Sequence, residues 1–181
     1  KYNLKNMKLI IWLWNPWTQY EKTRHNVGFL FLDFLVNAKS LIWEWKNEKK
    51  FSGEIFETNI WWEKTILLKP QTFMNLSWEA VLKIMSFYKL DKKDIIVIFD
   101  DISLEFWKIR FRESWSAWWQ NWVKNIISHI WEDFKRIKIW IWQDRKFDLS
   151  DWVLSKFSDD ELKELNENIF KESLVLLEKN F

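Results

Sequence analysis

Glycine lets a backbone turn with positive φ or approach another backbone closely, and this 181-residue chain has two. Average usage near 7% would give about 13. Tryptophan, by contrast, occurs 17 times. Few folds rich in tight turns can be built from such a composition unless other residues occupy the left-handed region. The Trps stand where turns are needed: beside Asn15-Pro16, within the run WSAWWQNW at 115–122, and singly after apolar runs. That placement argues for glycine sites written as Trp. A literal reading makes the Trps a carbohydrate- or membrane-interface face. It requires a regular exposed row, and the turn placement speaks against it.

The chain is organised around residues 8–29, KLIIWLWNPWTQYEKTRHNVGF. The apolar run at 8–13 reads as a buried strand, stopped by Asn15-Pro16. Regular structure resumes at Thr23-Arg24-His25-Asn26. Helical spacing through Val27, Leu30, Phe31, Phe34 and Leu35 predicts a largely buried helix over 25–38. Residues 39–50 read as irregular and charged. Weak alternation at 53–57 and the apolar run at 65–68 read as strands, closed by Lys69-Pro70. A second amphipathic helix is expected over about 77–89 through Ala80, Val81, Ile84, Met85 and Tyr88.

Ile95-Ile96-Val97-Ile98-Phe99 is a continuous apolar run that predicts a central strand ending on Asp100-Asp101. Basic and apolar residues alternate at 108–112 and 136–139, two further strands. Between them lie a turn-rich stretch at 113–121 and a short helix through Val123, Ile126, Ile127 and Ile130. Ser158 with Glu161 three residues on is a capping box that starts a terminal amphipathic helix. Strands alternating with helices throughout predict one globular α/β domain, a mixed, mostly parallel sheet flanked by helices. The domain is expected over 7–181. Met7 reads as the true start, with 1–6 as upstream extension.

Bulk properties narrow the function classes. Net charge is only +2, so nucleic-acid contact must come from a local patch. With no cysteine there is no disulfide framework and no thiolate metal site, which fits a reducing cytoplasm. No apolar run approaches the roughly 18 residues of a membrane span. No metal spacing of the H-E-x-x-H kind occurs, and no cofactor is expected.

Polar residues that folding alone does not demand gather at predicted strand ends: Asn15, Tyr20, His25, Asn75, Asp100 and Asn121. A histidine with a carboxylate partner forms a general-base pair. Asparagines offer donors to a developing oxyanion. No Ser or Cys sits in a nucleophile-elbow context, so water is the expected nucleophile. Each residue also has a structural reading. His25 serves a helix N-terminus equally well, and Asn15 before Pro16 is an ordinary turn residue. Asp100-Asp101 reads as a turn or cap, and Asn75 as a cap for the second helix. Arg110, Arg112, Arg136 and Lys138 read as a solvated sheet edge. His129 reads as structural.

These residues carry a resemblance to the bacterial peptidyl-tRNA hydrolases over nearly the whole chain. The family's G-L-G-N-P-G…Y…T-R-H-N-x-G resembles WLWNPW, Tyr20 and TRHNVG when Trp is read as Gly. Its K-P-x-T-F-M-N-L-S-G resembles KPQTFMNLSW, and its strand ending in D-D or D-E resembles IIVIFDD. Its G-x-x-G-G-x-N-G resembles WSAWWQNW, and R-x-x-I-G-I-G resembles RIKIWIW. Ser103 and Gln120 depart from an acidic residue and a His often found there.

The resemblance implies hydrolysis of the ester between a peptide and the 3′ ribose of tRNA. It implies His25 as the base activating water, Asp100 stabilising its charged form, and Asn15 helping to admit substrates with a blocked α-amine. Tyr20, Phe73, Asn75 and Asn121 would line the substrate site, with Met74 beside them. Arg112 and Lys138 would hold tRNA phosphates. The implied partner is the acceptor stem and 3′ end of peptidyl-tRNA, the implied place the cytoplasm, the implied state a monomer. A non-catalytic RNA-binding relative is the rival, and the His25, Asp100, Asn15 and Asn75 set favours the enzyme.

Trp stands at family glycine positions 12, 14, 17, 62, 78, 107, 115, 118, 119, 122, 131, 140 and 142. Each overpacked large-for-small change costs roughly 1–3 kcal/mol. So many would exceed a total stability of about 5–15 kcal/mol. UGA codons that mean Gly in certain bacterial lineages, translated as Trp, would give this pattern. A few Trps are expected to be genuine, with Trp43, Trp45 or Trp152 as the candidates.

Overall fold

The apolar runs build the centre of a seven-stranded sheet. The computed structural model of the chain describes residues 7–12, 15, 18–39, 45–72, 76–101, 108–113, 134–141, 146 and 148–181. The strands are β1 (Met7–Trp12), β2 (Lys46–Glu48), β3 (Gly53–Ile60), β4 (Glu63–Pro70), β5 (Ile95–Asp101), β6 (Ile109–Arg112) and β7 (Lys135–Trp140). Their order is β2-β3-β4-β1-β5-β7-β6. The four central strands are parallel, while β2, β3 and β6 are added antiparallel at the two sides. The α/β class and the mixed sheet with a parallel centre are as expected.

Side chains of a strand alternate between faces, and both faces here are covered. On one, Leu9, Ile11, Ile66, Leu68, Val97 and Phe99 pack with Ala80, Val81 and Ile84 of the helix Ser77–Tyr88. On the other, Ile10, Leu67, Ile96, Ile98, Ile137 and Ile139 meet two helices. These are α1 (Val27–Ala38) and a C-terminal helix, Phe170–Lys179. The helix Ser77–Tyr88 is α2. After it come α3 (Leu149–Leu154), α4 (Asp159–Glu164) and, past a π-helical turn at Leu165–Ile169, the C-terminal helix α5. Each large apolar side chain so buried contributes about 1.5–3 kcal/mol.

Gly28 sets how closely α1 can lie on this sheet. A Cβ there would stand 3.1 Å from the Ile98 carbonyl oxygen and 3.3 Å from Trp12 Cδ1. Without one, the first turn of α1 rests on the C-terminal end of β5, bringing residues 24–26 to the strand ends.

Several expectations are corrected. The stretch 39–50 is not wholly irregular: residues 46–48 form β2, in register Lys46↔Ile55. Its Lys-Asn-Glu sequence has no apolar periodicity to reveal it. The terminal helix is divided by the π turn, and α3 precedes it unforeseen. Trp12 is not in a turn; it ends β1 and is completely buried. Trp62 does lie in a turn, between β3 and β4, fully exposed at φ 72°, beside Trp61 at φ 47°. The helix expected through Val123 to Ile130 lies outside the described residues.

Candidate active site

Two carboxylates end β5, and strand alternation separates them. Asp100 shares the face of Ile96 and Ile98, under α1; Asp101 shares that of Val97 and Phe99. Both are buried. Asp100 Oδ2 lies 2.8 Å from His25 Nδ1. His25 belongs to a 3-10 turn, Arg24–Asn26, that runs directly into α1. An ionised carboxylate can only accept, so Nδ1 carries the proton and Nε2 is left with its lone pair. Burial lowers the imidazole's pKa, but the Asp100 charge and hydrogen bond outweigh it, and the net pKa is raised.

Asn26, the next residue, is completely buried and reaches across to Asn15. Its Oδ1 accepts from the Asn15 backbone N–H at 3.1 Å, and its Nδ2 donates to the Asn15 carbonyl at 3.4 Å. One amide thereby fixes the backbone of the loop after β1 on the turn that carries His25. Tyr20 closes a neighbouring 3-10 turn, Thr18–Tyr20, where its carbonyl accepts from the Thr23 backbone and hydroxyl. The structure thus brings Asn15, His25 and Asp100 to one end of the sheet, with Tyr20 on the connection between them.

The expected phosphate contacts sit on β6 and β7, where Arg110 opposes Lys138 and Arg112 opposes Arg136. Arg110 and Arg112 are exposed. Lys138 is 4% exposed, and its ammonium donates to Asp101, so it is not a solvated edge residue. Burial lowers its pKa despite that carboxylate. Phe73, Met74, Asn75 and Asn121 lie outside the described residues.

Sequence reasoning missed two residues of this end of the sheet. Asn26 was legible as part of TRHN but carried no chemistry of its own. Asp101 was legible as half of Asp-Asp, without any sign that it serves the opposite face. Among the described residues no group of three His, Cys, Asp or Glu side chains is placed to hold a metal ion. No helix among them is long and apolar enough to cross a membrane.

Residues 9–179 match the family model described as peptidyl-tRNA hydrolase. A peptidyl-tRNA hydrolase from Fusobacterium nucleatum is 47% identical over 173 residues, 95% of this chain and 88% of the relative. One from Clostridium novyi is 45% identical over 166 residues, 91% and 86% of the two chains. Among solved structures, peptidyl-tRNA hydrolase from Acinetobacter baumannii superposes with a TM-score of 0.82 at 28% identity, covering 99% of this chain and 92% of that one.

Proposed function

Because the chain belongs to the peptidyl-tRNA hydrolase family, an enzyme family, we propose that it cleaves peptidyl-tRNA with water activated by the His25–Asp100 pair. The observation that carries this reading is the 2.8 Å contact between His25 Nδ1 and a buried Asp100. Nε2 of His25 takes a proton from water as its oxygen attacks the ester carbonyl. Asp100 stabilises the imidazolium that results. Collapse of the tetrahedral intermediate breaks the bond to the ribose oxygen, which receives the proton from Nε2. The products are tRNA with a free ribose hydroxyl and a peptide carboxylic acid, which ionises to carboxylate by releasing the second water proton to solvent.

Asn15 is assigned to admit substrates whose α-amine is blocked. Asn75 and Asn121 are assigned as amide donors to the substrate carbonyl and the developing oxyanion. Tyr20 and Phe73 are assigned to contact the substrate, with Met74 assigned beside them. Arg112 contacts tRNA phosphate near the acceptor stem, which positions substrate without reading sequence. Lys138, engaged with Asp101, supports that basic patch from within the sheet. The enzyme acts as a monomer in the cytoplasm. A His25→Ala variant is expected to lose roughly 10²–10⁴-fold in kcat in a peptidyl-tRNA cleavage assay. Cleavage at the parent rate would remove His25 from the mechanism.

We also propose that most Trps at family glycine positions are UGA codons that the native host reads as Gly. Trp62 supports this, a bulky residue held at φ 72° with its side chain wholly in solvent. Protein from the native host should then weigh far less than 22.7 kDa; a matching intact mass would end the idea.

A further inference from the structure

The three residues of the turn before α1 leave it in three directions. His25 meets Asp100, Asn26 meets Asn15, and Arg24 points away from both into the C-terminal part of the chain. Arg24 is 5% exposed, yet its guanidinium is thoroughly engaged. Nη2 donates to both carboxylate oxygens of Glu161, at 2.7 and 3.0 Å, and Nη1 donates to the Lys156 carbonyl at 3.0 Å. The Trp152 ring lies 4.1 Å from the guanidinium carbon and the Phe157 ring 4.9 Å. The backbones are tied as well: Arg24 N–H donates to Ser155 O at 2.9 Å, and Phe157 N–H to Lys22 O at 3.0 Å. A planar guanidinium that donates three hydrogen bonds through two nitrogens and lies against two rings has one orientation, which a lysine ammonium would not impose.

Glu161 has a second duty. Its Oε2 accepts from the Ser158 backbone N–H at 2.7 Å, and Ser158 Oγ accepts from the Glu161 N–H at 3.2 Å, the capping box of α4. The turn at Arg24–Asn26 has no side-chain cap of its own, and neither has the start of α1. What fixes its direction is therefore tertiary. On one side Gly28 rests against Ile98; on the other Arg24 is bolted to Glu161, Lys156 and Trp152. His25 stands between the two anchors.

We propose that Arg24 and Glu161 form a positioning device for His25, through which the docked start of α4 sets the approach of the imidazole to Asp100. Arg24 touches neither substrate nor the reacting atoms; it acts through His25. The proposal rests on the reading of His25 as the base. Reacting groups misplaced by about 1 Å can lose 10²-fold in rate, so a device that holds one turn has a kinetic signature.

Three variants of the full chain separate positioning from simple stability. Glu161→Gln keeps the capping box, which accepts Gln at that place, but removes the charge facing Arg24. Arg24→Lys keeps the charge and loses the fork. Ser158→Ala breaks the cap and keeps the ion pair. Two quantities are read: kcat and KM on peptidyl-tRNA, and the low-field NMR resonance of the His25 Nδ1 proton held by Asp100.

Glu161→Gln and Arg24→Lys are expected to lower kcat about tenfold with little change in KM, and to broaden or erase the resonance. Ser158→Ala is expected to lower the melting temperature while keeping both kcat and the resonance. An intact resonance and parent kcat in Glu161→Gln would overturn the proposal. So would an equal fall of kcat in Ser158→Ala, which would mean that only the stability of the C-terminal helices matters. If His25→Ala proved fully active, the catalytic reading would fail. The resonance would still report whether Arg24 and Glu161 place His25 on Asp100.

Discussion

The His25 imidazole is a base only when neutral, so the proposed chemistry slows as pH falls through its pKa. Burial lowers that pKa, and the Asp100 charge and hydrogen bond raise it by more, to above the ordinary value of about 6.5. The acid limb of kcat/KM is therefore expected above pH 6.5. Asp100→Asn removes the raising contributions and leaves burial, so the limb should move to lower pH while the plateau falls. A pH–rate profile of both proteins checks this. The linkage to stability has the opposite sense: the pair stabilises fully below about pH 6.5, and its contribution fades as pH rises through the folded-state pKa.

A second buried titrating residue, Lys69, lies 5% exposed over the rings of Phe29 and Trp45. Burial lowers its pKa to about 8, only partly offset by Asp33 and Glu54. Between pH 8 and about 10.4 the unfolded chain holds a proton that the folded one has lost, so this residue makes stability rise with pH there. Lys69→Met should flatten that slope and stabilise the protein at neutral pH by roughly 1–3 kcal/mol, measured by denaturant titration across pH. Neither shift can be read from the residue's neighbours in sequence, because Asp100 and Phe29 reach these groups through the fold.

At the level of elements, apolar periodicity was enough for β1, β4, β5, α1 and α2, since each buries side chains at a regular period against the sheet. It failed for β2, whose polar residues hold their place by backbone pairing with β3. It failed also for α3, which fixes itself through Trp152 stacked on Arg24. The hairpin between β3 and β4 is the element most at odds with its residues. Trp61 and Trp62 both have positive φ, the geometry of a two-residue turn that favours Asn-Gly. A side chain in the left-handed region costs roughly 1–2 kcal/mol, and Trp62 recovers nothing by burial. Trp62→Gly is expected to raise the melting temperature by about 2–4 °C for a chain of this size; a calorimetric scan decides it.

Over the whole molecule, charge is nearly balanced at +2, so the proposed phosphate contact needs a local basic patch. Basic residues gather on β6 and β7, where register sets Arg110 opposite Lys138 and Arg112 opposite Arg136. Like charges directly opposed are unfavourable in a bare sheet; Arg136 is buried rather than at a solvated edge, so on the proposed reading phosphate would meet the exposed Arg110 and Arg112. Arg112→Ala is expected to raise KM for peptidyl-tRNA with kcat nearly unchanged. It should also reduce the salt slope of binding by about 1, checked by fluorescence titration at several salt concentrations.

The sequence by itself determined the α/β class, the central strand at 95–99, the helices over 27–38 and 77–88, and named the residues of the proposed site: His25, Asp100 and Asn15. Those features are local, written as periodicity, turn residues and motif order. The tertiary structure decided which groups meet. Asp100 rather than Asp101 takes His25 because alternation along β5 points one carboxylate under α1 and the other to Lys138. Lys138 is drawn into the sheet by that second carboxylate. Arg24 finds Glu161 across most of the chain, where only the docking of α4 could place it. Pattern along a chain encodes burial, but the identity of a partner depends on which surfaces come together.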